Sequence, residues 1–365
     1  LRIHSEIRDA ADHRMALSPI LAHHRQRLEG LRGGAAAARS PFELVDSPRL
    51  ADVCVLPYQW SHYLWHRRQA EAVDVARRAE AANRDIVVWF GGDLPPVIDI
   101  PNALVYRCSM YRSRGEPNAF AAPCFIDDPL GTHGGFPPLR PKPVKPLIGF
   151  CGYAALNPAK IAYGILLNAR HNVRSRCGRS PYQPIPVLPA TLLRARALAL
   201  LARDPRVETR FLVRTRYRAG FRTPSRAGQN ARQEFLANML QTDYTLCVRG
   251  YGNWSIRFYE TLACGRIPIF IDTDCVLPLE DDIDWRRYCV WVDRSELPRL
   301  AAKVAEFHAA LSDDEFAELQ VAARRLWVER LSQQGFMEDL AARLLRRGQI
   351  GRAAPAFAPA VRRAG

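Results

Sequence analysis

Residues 244–285 constrain the fold of this chain more than any other stretch. The run 244–248 is short, apolar and rich in β-formers, the pattern of a buried strand. Arg249-Gly250-Tyr251-Gly252-Asn253 follows as a two-glycine loop. Ser255 offers an N-cap hydroxyl to a helix ending near Cys264, and Gly265 suits the left-handed position just past its end. A second apolar strand covers 267–271. Strand, glycine loop, helix and strand in that order form a βαβ unit, which implies a parallel sheet in an α/β fold.

Such a unit sets a helix N-terminus at the carboxyl end of a strand, where free N–H groups and the helix dipole favour phosphate. Arg249 stands at the mouth of that loop. Arg257 and Glu260 lie three apart and share a helix face; they are either part of the site or a mutual surface ion pair. The loop is neither a P-loop nor a Rossmann G-x-G-x-x-G.

The run R-G-x-G-x-x-S-x-R-F-x-E-x-L-x-x-G-x-I-P-I is followed by an acidic turn, Leu277-Pro278 and Asp284-Trp285. In this order the residues resemble the C-terminal half of exostosin-type (GT47) glycosyltransferases. The resemblance covers about 45–330, densely in 209–292. Toward the N-terminus Ala51-Asp52 and Pro57 fit the family's A-D-x-x-x-x-P strand, but Gly91-Gly92-Asp93 stands where the family has H-D-x-G. A role carried by that His has no counterpart here. The fold implied is α/β of GT-B type, two Rossmann-like domains facing across a cleft.

The order of elements agrees with two such domains. Residues 1–40 read as helix, with His23-His24 as a solvated edge. Strands are expected at 50–57, 85–90 and 103–107, with a helix over 66–83 and an aromatic loop holding Tyr58, Trp60, His62, Tyr63 and Trp65. Five prolines in residues 137–146 make an extended, semi-rigid linker. This bounds an N-terminal, acceptor-side domain (1–140) and a C-terminal, nucleotide-sugar domain (147–311). In the latter, strands fall at 147–151 and 209–214, helices at 157–169, 191–202 and 229–241, and a basic loop at 170–190. A strand at 289–292 and helices at 296–310, 312–331 and 333–347 complete the pattern; the Ala/Pro/Arg-rich tail 348–365 reads as disordered.

The net charge of +15 comes almost wholly from Arg and suits a polyanionic partner, although the heavy Arg and Ala usage also fits a GC-rich genome. The nine cysteines include no C-x-x-C pair, and several sit in strand runs, so they read as core thiols in a reducing compartment. No apolar run reaches the roughly 18 residues that span a bilayer.

The resemblance implies that the second domain holds a nucleoside diphosphate. The donor-binding candidates are Arg249, Gly250, Asn253, Ser255, Arg257, Arg214, Arg216 and Gly152, and Glu260 takes the ribose role that GT-B enzymes give an acid. Gly149 and Gly152 either admit a ligand to the backbone or are plain turn glycines. The acceptor hydroxyl needs a base from the first domain: Asp93, in an exposed glycine turn, ranks above His62, and both also fit turn or capping roles. Asp272-Thr273-Asp274 looks like the metal-binding D-x-D of GT-A transferases, but it stands in the acidic turn of the exostosin-like motif. There Asp272 and Asp274 are expected to contact donor-sugar hydroxyls or to form the turn, with no metal and no cofactor. Asn253-Trp254-Ser255 is a glycosylation sequon that reads as coincidence.

The expected activity is inverting, metal-independent transfer of a sugar from a nucleotide sugar, UDP-linked, to a hydroxyl of a growing glycan. The alternatives are a GT-A-type, Mn-dependent transferase using Asp272 and Asp274, and a non-enzymatic basic module for acidic glycan or nucleic acid. On the first reading the partners are donor and glycan acceptor, with no nucleic acid and with peripheral membrane contact through the basic surface. The expected location is the cytoplasm, at the inner face of the membrane, or the Golgi lumen for a chain whose N-terminal anchor lies outside this sequence.

Overall fold

The computed structural model describes residues 1–6, 17–32, 40–131, 135–154, 156–215 and 226–350. Its first half contains β1 (Arg2–His4), α1 (Pro19–Arg32), β2 (Glu43–Leu44), β3 (Val53–Val55), α2 (Trp60–Trp65), α3 (Gln69–Ala81), β4 (Ile86–Phe90), β5 (Ala103–Arg107) and β6 (Ala119–Ala121). They form a six-stranded parallel sheet in the order β2-β1-β3-β4-β5-β6. The second half contains β7 (Leu147–Tyr153), α4 (Pro158–Arg176), α5 (Ala190–Arg203), β8 (Glu208–Arg214), α6 (Arg226–Leu240), β9 (Tyr244–Cys247), α7 (Ile256–Ala263), β10 (Ile267–Asp272), β11 (Val290–Asp293), α8 (Leu300–Ala309), α9 (Asp313–Leu326) and α10 (Gln333–Ile350). Its five parallel strands run β11-β10-β9-β7-β8. The expected pair of doubly wound α/β units is therefore present. Each sheet reverses its winding once, between β1 and β3 and between β7 and β9. At such a reversal the crossovers leave on opposite faces and open a crevice outside the strand carboxyl ends.

The central strands are continuous apolar runs because helices cover both faces. All five residues of β4 (IVVWF) and all six of β10 (IPIFID) are buried. Several expectations need correction. The helix read over 1–40 begins instead with β1, the second strand of the first sheet, inside the edge strand β2; only Ile3 of its three residues is buried, so no pattern announced it. His23 is buried and His24 bonds Ser40 Oγ at 3.0 Å, so the pair is no solvated edge. The aromatic loop after β3 is the short helix α2, and α4 runs on to Arg176, well into the expected basic loop. Asn157 does cap α4, accepting the Lys160 N–H at 3.0 Å. Gly265 has φ +58°, as its place after α7 requires.

The two units are joined firmly. Along the proline linker, Arg140 Nε donates to buried Asp243 at 2.6 Å, and Gln320 brackets the Arg140 backbone with two bonds of 2.9 Å. Helix α10 crosses back to the first sheet, where Phe336 packs on Trp89 and Phe125, and Arg347 meets Asp85 at 3.2 Å. One apolar cluster therefore runs from Ile3, Val55 and Trp89 to Phe258, Trp285 and Leu340.

Candidate active site

The carboxyl ends of both sheets meet in a cleft. On the second sheet its floor is the reversal between β7 and β9, and arginines line it. Arg194 of α5 spans the crevice, donating to Tyr153 O at 2.7 Å and to Arg249 O at 3.0 Å. Arg257 of α7 donates Nη2 to Cys151 O at 2.9 Å and lies 4.4 Å from the centroid of the Phe150 ring. A Cβ on Gly152 would fall 2.7 Å from that Nη2, so the glycine makes room for Arg257. Gly149 instead lets the strand approach Thr242, whose Oγ1 would be 2.3 Å from an added Cβ.

Arg249 and Arg257 share an electrostatic peculiarity. Burial pushes both guanidinium pKa values down. Among the described residues neither is ion-paired with a carboxylate. Among the described residues Arg249 donates to the carbonyls of Gly250, Tyr251 and Leu188, at 3.3–3.4 Å, and Arg257 Nε is buried without a hydrogen-bond partner. Buried Arg266, at the opposite end of the sheet, is likewise without a carboxylate partner among the described residues, its pKa is pushed down by burial to about 10 and its Nε finds no hydrogen-bond acceptor there, but its two Nη atoms are engaged by the protein itself. It donates to Cys264 O, Gly265 O, Gln320 Oε1, Pro138 O and Leu240 O at 2.9–3.3 Å. A buried cation with weak neutralisation is costly, and an anionic ligand offsets that cost.

The other residues singled out in the sequence divide by position. Arg257 and Glu260 do not pair with each other: the buried Glu260 carboxylate is taken by Arg232 of α6. Arg214, at the end of β8, pairs with Glu234 at 3.0 Å. Ser255 occupies the N-cap of α7, but its side chain makes no capping bond. The Gly250 N–H closes the loop on Trp254 O at 2.9 Å. Arg216 lies outside the described residues, as do 351–365 of the tail.

Asn253 is not a ligand-facing residue. It is 0% exposed and rivets the two units together. Its N–H donates to Ser109 Oγ at 3.0 Å, and its Nδ2 donates to Met110 O at 2.8 Å and Asp274 O at 3.1 Å. Its Oδ1 accepts the Thr273 hydroxyl at 2.7 Å. The same burial leaves the sequon without an accessible acceptor.

Asp272 and Asp274 point their carboxylates at the first unit. Asp272 accepts Arg112 Nη1 at 3.2 Å and the Cys275 N–H at 2.9 Å. Asp274 accepts the Ser113 N–H at 3.0 Å and its hydroxyl at 2.5 Å. Both also line a cavity of about 390 Å³, with Tyr111, Asp293, Arg294 and Ser295. The Tyr111 hydroxyl there is buried and without a partner.

From the first unit, Asp93 meets the arginine-lined loop across the cleft. Its Oδ1 accepts Trp254 Nε1 at 3.0 Å; among the described residues its exposed Oδ2 accepts no hydrogen bond. Gly252 permits this seating, since a Cβ there would lie 2.8 Å from Asp93 O. His62 does not face the cleft: it is 4% exposed, inside α2 and 4.4 Å from the Tyr58 ring.

Tyr111, Arg112, Ser113, Arg194, Asp293 and Arg294 were not singled out in the sequence. Two groups of them have a signal in retrospect. Met110-Tyr111-Arg112-Ser113-Arg114 follows β5, and Asp293-Arg294-Ser295 follows β11: polar runs just past apolar strands, where α/β folds hold ligands. Arg194, midway along an ordinary helix, has none.

Residues 212–307 match the model of the Exostosin GT47 domain. Over 66 residues the chain is 38% identical to a probable glucuronosyltransferase of Oryza sativa subsp. japonica, covering 18% of this chain and 15% of that protein. Over 96 residues it is 28% identical to Exostosin-1 of Drosophila melanogaster, covering 26% of this chain and 12% of that protein. The chain thus spans a small part of these relatives. The structure of Anabaena Alr3699/HepE in complex with UDP and glucose aligns with 94% of this chain and 99% of that one, at a TM-score of 0.35 and 12% identity. The exostosin-type resemblance read from Arg249 to Ile269 is borne out over residues 212–307, which include Arg249, Arg257, Asp272 and Arg294.

Proposed function

We propose that the chain is a glycosyltransferase that moves a sugar from a nucleoside-diphosphate sugar, UDP-linked, to a hydroxyl of a glycan acceptor, with inversion and without a metal. The observation that carries this reading is the buried Arg249 and the half-buried Arg257, which among the described residues pair with no carboxylate, at the reversal of the sheet that holds the exostosin-type stretch. The diphosphate would neutralise them. The α7 N-terminus and the Arg guanidinium groups would stabilise the charge that develops on the leaving phosphate. Asp93 Oδ2 would deprotonate the acceptor hydroxyl from the opposite wall, while the Trp254 indole fixes its other oxygen. Asp272, Asp274 and the 390 Å³ cavity would take the donor sugar.

The engagement of Asp272 by Arg112, and of Asp274 by Ser113, favours this reading over a Mn-dependent one. Thermal unfolding with UDP tests the reading. UDP is expected to raise the melting temperature, and Arg249→Ala to weaken UDP binding about ten- to a hundredfold, the loss of a charge-assisted hydrogen bond. No shift with any nucleotide, or activity abolished by a chelator and restored by Mn²⁺, would overturn it.

A further inference from the structure

Helix α4 is built inside out. Its polar residues face the protein. Asn168 donates to Val187 O at 3.0 Å, Asn172 exchanges bonds of 2.7 and 2.8 Å with the Ile185 backbone, and Ser175 donates to Tyr182 O at 2.7 Å. Its apolar residues face away: Tyr163, Leu166, Leu167 and Val173 are 63%, 65%, 42% and 61% exposed. Helical spacing puts these on one stripe, and Arg170 and Arg174 fall on the same stripe. No Asp or Glu occurs between Asp128 and Asp204, so every formal charge on this helix and in the chain that flanks it is positive. Among the described residues no carboxylate pairs with Lys160, Arg170 or Arg174.

We propose that α4 is a docking helix that lies on the surface of an anionic lipid bilayer. Aliphatic and aromatic side chains interleaved with arginines fit the boundary between headgroups and acyl chains, where the apolar parts bury and the guanidinium groups meet lipid phosphate. A second copy of the chain fits less well: a two-fold contact through this stripe would set Arg170 and Arg174 against their own equivalents. A soluble acidic glycan would use the cations and leave Leu166 and Val173 in water. Among the described residues no helix is long and apolar enough to cross a membrane, so α4 lies on the bilayer rather than through it.

The placement bears on the cleft. The loop after α4 crosses to the first unit, where Gln183 N donates to Pro95 O at 2.8 Å and Val97 N to Pro181 O at 2.9 Å. Farther along the loop, Pro186 lines the cavity and Leu188 O receives Arg249. A docked α4 sets the cleft mouth at the bilayer, where the hydroxyl of a lipid-linked acceptor is presented. This last step rests on the proposed function; the docking itself does not.

The test is sedimentation of the full chain with phosphatidylcholine vesicles, with and without phosphatidylglycerol. Binding is expected only to the anionic vesicles and should fall with salt. Leu166→Glu with Val173→Glu should weaken it at least tenfold with an unchanged melting temperature, because both side chains are exposed. Arg170→Gln with Arg174→Gln should weaken it by about fivefold per cation. Equal binding to phosphatidylcholine alone, no binding, or a Glu variant that binds like the parent would overturn the proposal. So would a dimer in size-exclusion chromatography that the Glu variant dissolves. The UDP-induced shift is read on the same samples: its absence alongside intact lipid binding would sink the sugar-transfer reading and leave the docking one standing.

Discussion

The two sheets are wound alike and furnished differently. Both reverse order after their first strand, yet the corresponding crevices hold opposite chemistry. In the second sheet, arginines from α5, α7 and the loop after β9 converge on strand-end carbonyls and leave Arg249 and Arg257 weakly neutralised. In the first, polar side chains at the end of β1 bond neighbouring strand ends: Ser5 Oγ donates to Val55 O at 2.8 Å and His4 Nδ1 sits 2.9 Å from Val45 O. Its free functionality lies instead after β4, where Asp93 offers an unbonded oxygen to the cleft. The topology is repeated, and side chains decide that one wall of the cleft is cationic and the other carries a carboxylate away from its own reversal. That asymmetry suits a reaction with an anionic leaving group on one wall and a proton acceptor on the other.

The comparison can be broken most sharply at Asp93. Asp93→Asn keeps the shape and the bond to Trp254 but removes the proposed base, so on the proposed function kcat should fall about 10²- to 10⁴-fold while UDP affinity stays unchanged. A fall of less than tenfold would take the first sheet out of the chemistry. The next effect is on the join. Phe336→Ala deletes the ring that α10 packs on Trp89 and Phe125, and should lower unfolding stability by about 3–5 kcal/mol in a denaturant titration. If the two units then unfold in separate transitions, the shared core is what makes them one cooperative body.

The smallest effect is titration of His308, which is buried behind the second sheet between Tyr244 Oη at 2.9 Å and Pro143 O at 2.8 Å. Burial lowers its pKa below the ordinary 6.5. The unfolded chain therefore binds more protons just below 6.5, and stability contributed by neutral His308 is full above that pH and is lost as pH falls toward the folded-state pKa. Melting temperatures measured down from neutral pH should decline, and His308→Gln should flatten part of that decline. An unchanged slope would assign it to other groups.

The βαβ unit around Arg249 was legible in the sequence because its signals are local: an apolar strand, two loop glycines, a helix face and Gly265 at positive φ. Strands β4, β5 and β10 were equally legible as unbroken apolar runs. Strand β1 was not, since its place between β2 and β3 depends on residues 40 to 50 positions away: Arg2 pairs with Asp52 and Ile3 with Leu44 and Val53. The candidate site divides in the same way. Its residue types and order fix an exostosin-type stretch, and with it the presence of arginines near a helix N-terminus. Which of them stay weakly neutralised depends on partners distant in the chain, such as Cys151 for Arg257 and Leu188 for Arg249. Folding likewise made Asn253 a rivet, turned Asp272 and Asp274 toward Arg112 and Ser113, buried His62 and left Asp93 facing Trp254. The sequence by itself determined the paired α/β units, the linker and the chemistry of one wall. Only the tertiary structure decided which polar groups are spent on holding the two units together and which remain for a ligand, because that depends on what lies across the cleft.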